Sequence, residues 1–467
     1  MKNSLINIVF VVVFINCNPE LKITADPKEI KANGISKSRI TVELDAEDGT
    51  QVDFYTDLGH FLDNYGNQTD YVTKYLANGT TYVDLISDVI PGEATVTVNY
   101  TTPQGIYGTG TIKVKFYLPK VSGNRINFQC DRVNIGALRE SVSNISVKCY
   151  VTLYDKDGDP VSIKSFSKDE YGFEAEAGSF DPNYYEDYDG RIYFLYRSFG
   201  GENEPKDTEP IQGEPSQPDP LGLRSTRNPR DGLVTLVFYI KGEEGFDDLN
   251  GNGVLDSNEY FYDFGEPFLD VDDDGIFDPL KGDRLLKDID QNGDYTGPNG
   301  KYDEDTYVWA VYKILWTGDP KKDTIKIESN SGGFDIGYNQ TLNFELQVND
   351  INLNPIAGTS EDYIQLIVNC GDGYYCEYQP DSWYLSDSRG FDIDEEGKIL
   401  GNLFTPIIFR FSIKNTNYTE NDEFYSIGLL IYSSPGPDQY GDCCMEQDIY
   451  DFSDLVRGRL IAGGNSE

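Results

Sequence analysis

The chain has 467 residues, with 38 Lys and Arg against 80 Asp and Glu, a formal net charge of −42. Such an acidic excess argues against a nucleic-acid backbone or an anionic membrane face as partner and favours a solvated surface, cation binding, or both. A single histidine, His60, among 34 Tyr, 25 Phe and 46 Gly leaves little room for histidine catalysis or zinc. The same aromatic and glycine content, in alternating patterns, reads as an all-β chain and not a disordered one.

Lys2 precedes an apolar run from Leu5 to Ile15, broken only by Asn7. A bilayer span needs about 20 such residues, so the run reads as the hydrophobic part of an export signal. Cys17 follows at once. An apolar stretch ending on cysteine resembles a bacterial lipoprotein signal, and residues 1–17 are assigned to it. The resemblance implies a protein of the bacterial outer membrane or cell surface that meets the membrane only through a lipid on Cys17. An ordinary export signal with an incidental cysteine is the other reading.

Removing Cys17 leaves six cysteines, an even number in an exported chain, which points to disulfides over metal thiolates. Cys130 and Cys149 end two predicted strands and are placed to pair. Four cysteines then allow three connectivities. Vicinal Cys443 and Cys444 rarely bond each other, so they are expected to pair with Cys370 and Cys376.

From residue 21 to 118 the chain alternates in short runs. Ile40, Val42 and Leu44 share one face, as do Val52 and Phe54, then Val96, Val98 and Tyr100, then Ile112, Val114 and Phe116. Period two between Gly and Asn turns means half-buried strands of a sandwich. Ala25-Asp-Pro27, Ala32-Asn-Gly34, Leu44-Asp45, Val52-Asp-Phe54 and Ala94-Thr-Val96-Thr-Val98 resemble a bacterial immunoglobulin-like domain of the invasin/intimin type. That resemblance implies outer-surface display and adhesion to a cell or matrix, although such domains also serve as spacers.

A turn within this domain recurs downstream. Leu44–Val52 is echoed at Leu153–Val161 and more weakly at Val348–Ile356, each after an alternating strand. The spacings are 109 and then 195 residues. Two insertions account for the longer one. Residues 201–232 are Pro- and Glu-rich, hold no periodicity and read as a loop. Residues 243–305 are an acidic block between a predicted strand Leu233–Ile240 and another at Tyr307–Trp316. The expectation is three tandem immunoglobulin-like β-sandwiches, over 21–118, 119–320 and 321–467, the middle one carrying both insertions.

The acidic block carries 20 acids and 4 bases. Left unneutralised, that density repels itself. Asp248, Asn250, Asn252, the Val254 carbonyl, Asp256 and Glu259 match every position of the twelve-residue calcium loop, with Gly253 at the sharp reversal. A second loop offers Asp270, Asp272, Asp274, the Ile276 carbonyl and Asp278. Its twelfth position is Lys281, so a closing carboxylate must come from elsewhere, with Asp283 the candidate. A third opens with Asp288, Asp290, Asn292 and Asp294. Its twelfth position is Asn299, and Asp303 and Asp305 are candidates to complete it. Ca²⁺ wants six to eight oxygens, whereas Mg²⁺ demands a tighter octahedron, so two to three Ca²⁺ ions are expected. The connector Tyr260–Leu269 contains Gly265 and Pro267, so no long helix fits. The block resembles the helix-poor calcium-loop arrays of thrombospondin type 3 or dockerin-like repeats.

Other chemistry is sparse. His60 has no nucleophile near it in sequence and reads as a surface residue. No phosphate loop or dinucleotide fingerprint follows a predicted strand. Carboxylate pairs suited to glycoside hydrolysis exist, but most acids fall in the calcium pattern. Trp309 and Trp316 differ in parity along one strand, so one of them, with Trp383, is a candidate sugar-stacking surface against ordinary sandwich packing. The sequence therefore predicts a non-enzymatic, calcium-binding surface protein whose partner is an unidentified surface protein or a glycan. The alternative is a carbohydrate-binding or accessory subunit of a polysaccharide-degrading system.

Overall fold

The structure is a computed structural model. It describes residues 19–140, 142, 144–187, 190–371, 375–393, 404, 406–442 and 445–463. Cys17, Cys443 and Cys444 lie outside the described residues. Among the described residues the regular elements are strands and three short 3₁₀ turns, and no helix is long and apolar enough to cross a membrane. The chain divides into two compact units, residues 1–119 and 120–467.

The first unit is a two-sheet sandwich. Strands Leu21–Asp26, Lys37–Leu44 and Thr80–Ile86 form one sheet. Glu29–Lys31, Tyr107–Tyr117, Gly92–Thr101, Gln51–Thr56 and Tyr71–Tyr75 form the other. The first strand leaves one sheet at Asp26, and Glu29–Lys31 joins the other in parallel with Lys115–Tyr117. The alternating residues meet between the sheets: Ile40, Val42, Val52, Phe54, Val96, Val98 and Val114 are fully buried. Burying such side chains contributes roughly 1.5–3 kcal/mol each.

The second unit holds two further hydrophobic cores. Around the first of these, strands Ile126–Cys130, Ser146–Leu153, Arg191–Arg197 and Ser179–Glu186 face a sheet built on Leu233–Glu243 and Thr306–Trp316. Those last two strands pair antiparallel from Leu233 opposite Leu315 to Gly242 opposite Thr306. The acidic block is therefore the connection of a single hairpin. Cys130 and Cys149 stand opposite each other on neighbouring strands and form a disulfide.

Around the second core, strands Lys326–Ser329, Thr341–Gln347, Phe409–Asn415 and Cys376–Gln379 form one sheet. Ser382–Tyr384, Tyr363–Asn369, Glu423–Ser433 and Asp448–Leu460 form the other. Here one expectation is corrected. Cys370 bonds Cys376, with Cα atoms 5.9 Å apart, and neither pairs with Cys443 or Cys444. Cys370 follows the end of Tyr363–Asn369 and Cys376 opens Cys376–Gln379, so the partner six residues on stands within reach.

The two sandwiches of this unit meet through buried polar groups. Arg139 donates to the carbonyls of Ser433 and Ala357 at 2.8 and 3.2 Å. Asn134 donates to those of Pro355 and Ser388 at 2.8 and 2.9 Å. The stretch 201–232 is more ordered than its composition suggests. Glu214 accepts from Arg230, Asp219 from Arg227, and Asp231 from Thr208, all buried. Satisfied buried charges of this kind fix a path that no apolar periodicity announces.

Candidate metal centre

The acidic block sits on the outer face of its hairpin. Leu269 and Val271 pack on Val237, with Leu286, Trp309 and Val311 around them. Phe264 and Phe268 lie against the Trp309 ring at 6.4 and 5.6 Å, and its indole N–H donates to the Gly265 carbonyl. Trp309 and Trp316 do face opposite sides, but neither is open to stack on a sugar. Trp316 is fully buried in the sandwich core, Trp309 is covered by the block, and Trp383 packs against Phe409 and Phe411.

Three turns of the block follow one hydrogen-bond scheme. In each, the first Asp accepts from the glycine at position 6: Gly253 to Asp248 at 2.7 Å, Gly275 to Asp270 at 2.9 Å and Gly293 to Asp288 at 2.9 Å. These glycines hold φ of 72°, 74° and 85°, a region open to Gly at little cost. The residue at position 5 accepts from the next-but-one amide: Asn252 from Val254, Asp274 from Ile276 and Asn292 from Asp294. One further carboxylate then clamps each turn by accepting from positions 2 and 9 with its two oxygens.

The identity of that clamp separates what the sequence showed from what it hid. In the first loop it is Glu259, at position 12, bound to the amides of Leu249 and Asp256 at 2.9 Å each. In the second it is Asp283, bound to Val271 and Asp278 at 2.9 and 2.8 Å. In the third it is Glu266, which precedes its loop and accepts from Ile289 and Thr296 at 2.6 and 2.8 Å. Asp303 and Asp305 do not complete the third loop. Asp305 pairs with Lys241.

Asp303 belongs instead to a fourth turn of the same scheme, assembled from three separate stretches. Asp263 accepts from Gly300, Asn299 accepts from Lys301, and Glu244 clamps the amides of Phe264 and Asp303 at 2.7 and 2.8 Å. No linear pattern could reveal it, because position 1 stands 36 residues before position 5.

Two of the three predicted loops gather their carboxylates. Oxygens of Asp270, Asp272 and Asp283 lie within 4.8 Å of one another, as do those of Glu266, Asp288 and Asp290. Ligands on opposite sides of Ca²⁺, each about 2.4 Å away, stand about 4.8 Å apart. Asp270 Oδ1, Asp272 Oδ1 and Asp288 Oδ1 are buried without a hydrogen-bond donor. Such oxygens are costly unless a cation meets them. Burial, reinforced by neighbouring carboxylates, pushes the Asp270 and Asp283 carboxyls above their ordinary range. The residues present therefore fit a hard cation. The first loop, the fullest match in sequence, is exposed and draws its centre together with amides: Asn250 and Asn252 both donate to Asp256 Oδ2, at 2.6 and 2.9 Å.

A third acidic group was not expected. Asp155, Asp157 and Asp159 gather within the same 4.8 Å in the turn after Ser146–Leu153. The sequence marked this turn as a repeat, and its Asp-x-Asp-x-Asp spacing was the available signal. Its backbone scheme recurs at Asp350, whose Oδ1 accepts from Asn352 and Asn354 as Asp155 Oδ1 accepts from Asp157 and Asp159. His60 is half-buried, its backbone paired with Ile86, and burial lowers its pKa.

Comparison with known families finds no match, and none appears among curated proteins. Solved structures do resemble the chain. The bacterial integrin-binding protein invasin aligns over 93% of this chain and 79% of its own, at 14% identity and a TM-score of 0.30. The adhesin FdeC of Escherichia coli aligns over 94% and 99%, at 9% identity and 0.29. The D0–D1 domain of intimin aligns over 47% and 90%, at 17% identity and 0.17. Likenesses at these levels assign neither partner nor activity.

Proposed function

We propose that the chain is a non-enzymatic, calcium-binding protein of the bacterial cell surface, exported and held by a lipid on Cys17, that presents immunoglobulin-like sandwiches as an adhesion or structural module. The observation that carries the metal part of this reading is the convergence of Asp283 and Glu266 on loops whose own twelfth positions, Lys281 and Asn299, could not close them. Bound Ca²⁺ supplies charge neutralisation and cross-linking. The chain supplies the frame: glycine reversals aim the acids inward, and the clamps hold each loop shut from positions 2 and 9. The partner is a surface protein or a glycan.

Elemental analysis of exhaustively dialysed protein, with scanning calorimetry in calcium and in chelator, tests the reading. Two or more calcium ions per chain and a melting transition lowered by chelator are expected. No bound calcium and an unchanged transition would refute it.

A second reading, glycan binding, is favoured by one surface. On the open face of the first sandwich, Tyr55 and Tyr71 stand opposite each other with rings 4.7 Å apart. Tyr75 and Tyr107 flank Gln51 and Thr101 on the same face, beside Asp53 and Asn99. Exposed rings beside hydrogen-bonding groups suit sugar faces and hydroxyls. Loss of glycan-array binding in a Tyr71→Ala, Tyr107→Ala variant would favour it over protein adhesion.

A further inference from the structure

Lys281 occupies the position at which a calcium loop carries its closing glutamate. In the second loop its ammonium bridges Asp272 Oδ2, at 2.8 Å, and Asp274 Oδ2. It therefore stands among the carboxylates that would receive the ion. A second ammonium lies beneath. Lys313 projects from the hairpin strand, is 2% exposed, pairs with Asp273 and lies 3.9 Å from Asp270 Oδ2. The two differ in mobility. Lys313 is enclosed by protein, whereas the Lys281 side chain is 46% exposed and can swing into solvent on four rotatable bonds.

The other predicted loops lack this arrangement. Among the described residues, no ion pair reaches Asp248, Asp256 or Glu259 of the first loop, or Asp288, Asp290 or Glu266 of the third. Lys156 does reach the first loop, but it donates to the Gly253 carbonyl and not to a carboxylate. Without calcium, the first and third loops must bear their own repulsion, while the second carries a counter-charge within its frame.

We propose that Lys281 is the resident counter-ion of the second loop, holding it folded in the ion-free chain and making it the last of the predicted loops to take calcium. The proposal rests on the calcium reading above and adds an order of filling. An entering ion displaces the ammonium from Asp272 and Asp274. That exchange weakens binding relative to a loop with no cation to expel.

The test is calcium titration of the full chain by isothermal calorimetry, with hydrogen exchange in chelator as an independent measurement. Asp283 clamps only the second loop, so Asp283→Asn identifies its binding step. That step is expected to be the weakest in the wild type. Lys281→Gln should tighten it roughly tenfold, equivalent to about 1.4 kcal/mol, and Lys281→Arg should leave it in place. In chelator, the amides of Val271, Gly275, Ile276 and Asp278 should stay protected in the wild type and lose protection in Lys281→Gln. Those of Leu249, Gly253, Ile289 and Gly293 should exchange quickly. The proposal falls if the step lost in Asp283→Asn is not the weakest, if Lys281→Gln leaves it unmoved, or if all loops are equally protected in chelator. Normal calcium binding with an unmoved Lys281→Gln step would overturn this proposal alone. Absence of calcium from every loop would overturn the parent reading as well.

Discussion

Lys313 is a charged side chain in the wall of a sandwich, and its partners explain how it survives there. Burial alone would lower its pKa, but Asp273 and Asp270 outweigh that and hold it above its ordinary value. Glu176, also buried, faces the same group while clamping the amides of Lys206 and Thr235. Removing one member of a buried pair leaves the other charge uncompensated, typically at about 3–5 kcal/mol, whereas replacing both is far milder. Lys313→Met should therefore lower the denaturation midpoint sharply, and Lys313→Met with Asp273→Asn, which keeps a residue suited to the left-handed backbone at φ 59°, should recover part of the loss. Asp350 makes a pH prediction. Burial, opposed by the amides of Gly318, Asn354 and Asn352, pushes its carboxyl up to about 6. An acid whose folded pKa lies above its unfolded value stabilises the fold most when protonated. That contribution is present below about pH 4 and is lost as pH rises through 6, over a window worth roughly 3 kcal/mol. Asp350→Asn abolishes the titration but sets an amide against the Gly318 N–H, at a cost of about 1–3 kcal/mol. Urea midpoints should show the variant clearly weaker at pH 4.5, with the gap narrowed or reversed at pH 7.5.

At the scale of elements, the acidic block is a set of turns hung on a hairpin already in register. Asp283→Asn and Glu266→Gln should each remove one calcium ion per chain, counted by elemental analysis, with little effect on the sandwich cores. Replacing residues 244–304 by a two-residue Asn-Gly turn should let strands Leu233–Glu243 and Thr306–Trp316 close directly. It should also bare Val237, Trp309 and Val311, so dye binding and self-association should rise even where the fold persists. These elements show where sequence reading works. Ile40, Val42 and Leu44, and Val96 and Val98, were visible because two-sheet burial imposes period two. The loop acids were visible because ligand spacing is fixed along one stretch of chain. Glu266, Glu244 and Asp263 were invisible because their place is set by folding back over 20 or more residues, which leaves no local signature. The pairing of Cys370 with Cys376 was missed for a similar reason: cysteine spacing does not encode which strand ends stand within reach of each other.

At the scale of the whole molecule, each of the predicted calcium loops belongs to the unit 120–467. Calorimetry should then resolve a transition for residues 19–119 that ignores chelator and another that falls with it. With calcium at about a hundred times its dissociation constant, each ion contributes about 2.7 kcal/mol to the second. The stretch 201–232 bears on how that unit answers force. Arg230 donates to the Asp272 carbonyl of the second loop. The same stretch is tied to the last sandwich: Gln217 donates to the Ile351 carbonyl, and Asn354 donates to the Pro229 carbonyl, at 2.8 and 2.9 Å. The stretch thus joins the last sandwich to the second candidate loop, so a load on that sandwich should reach the loop through hydrogen bonds as well as along the chain.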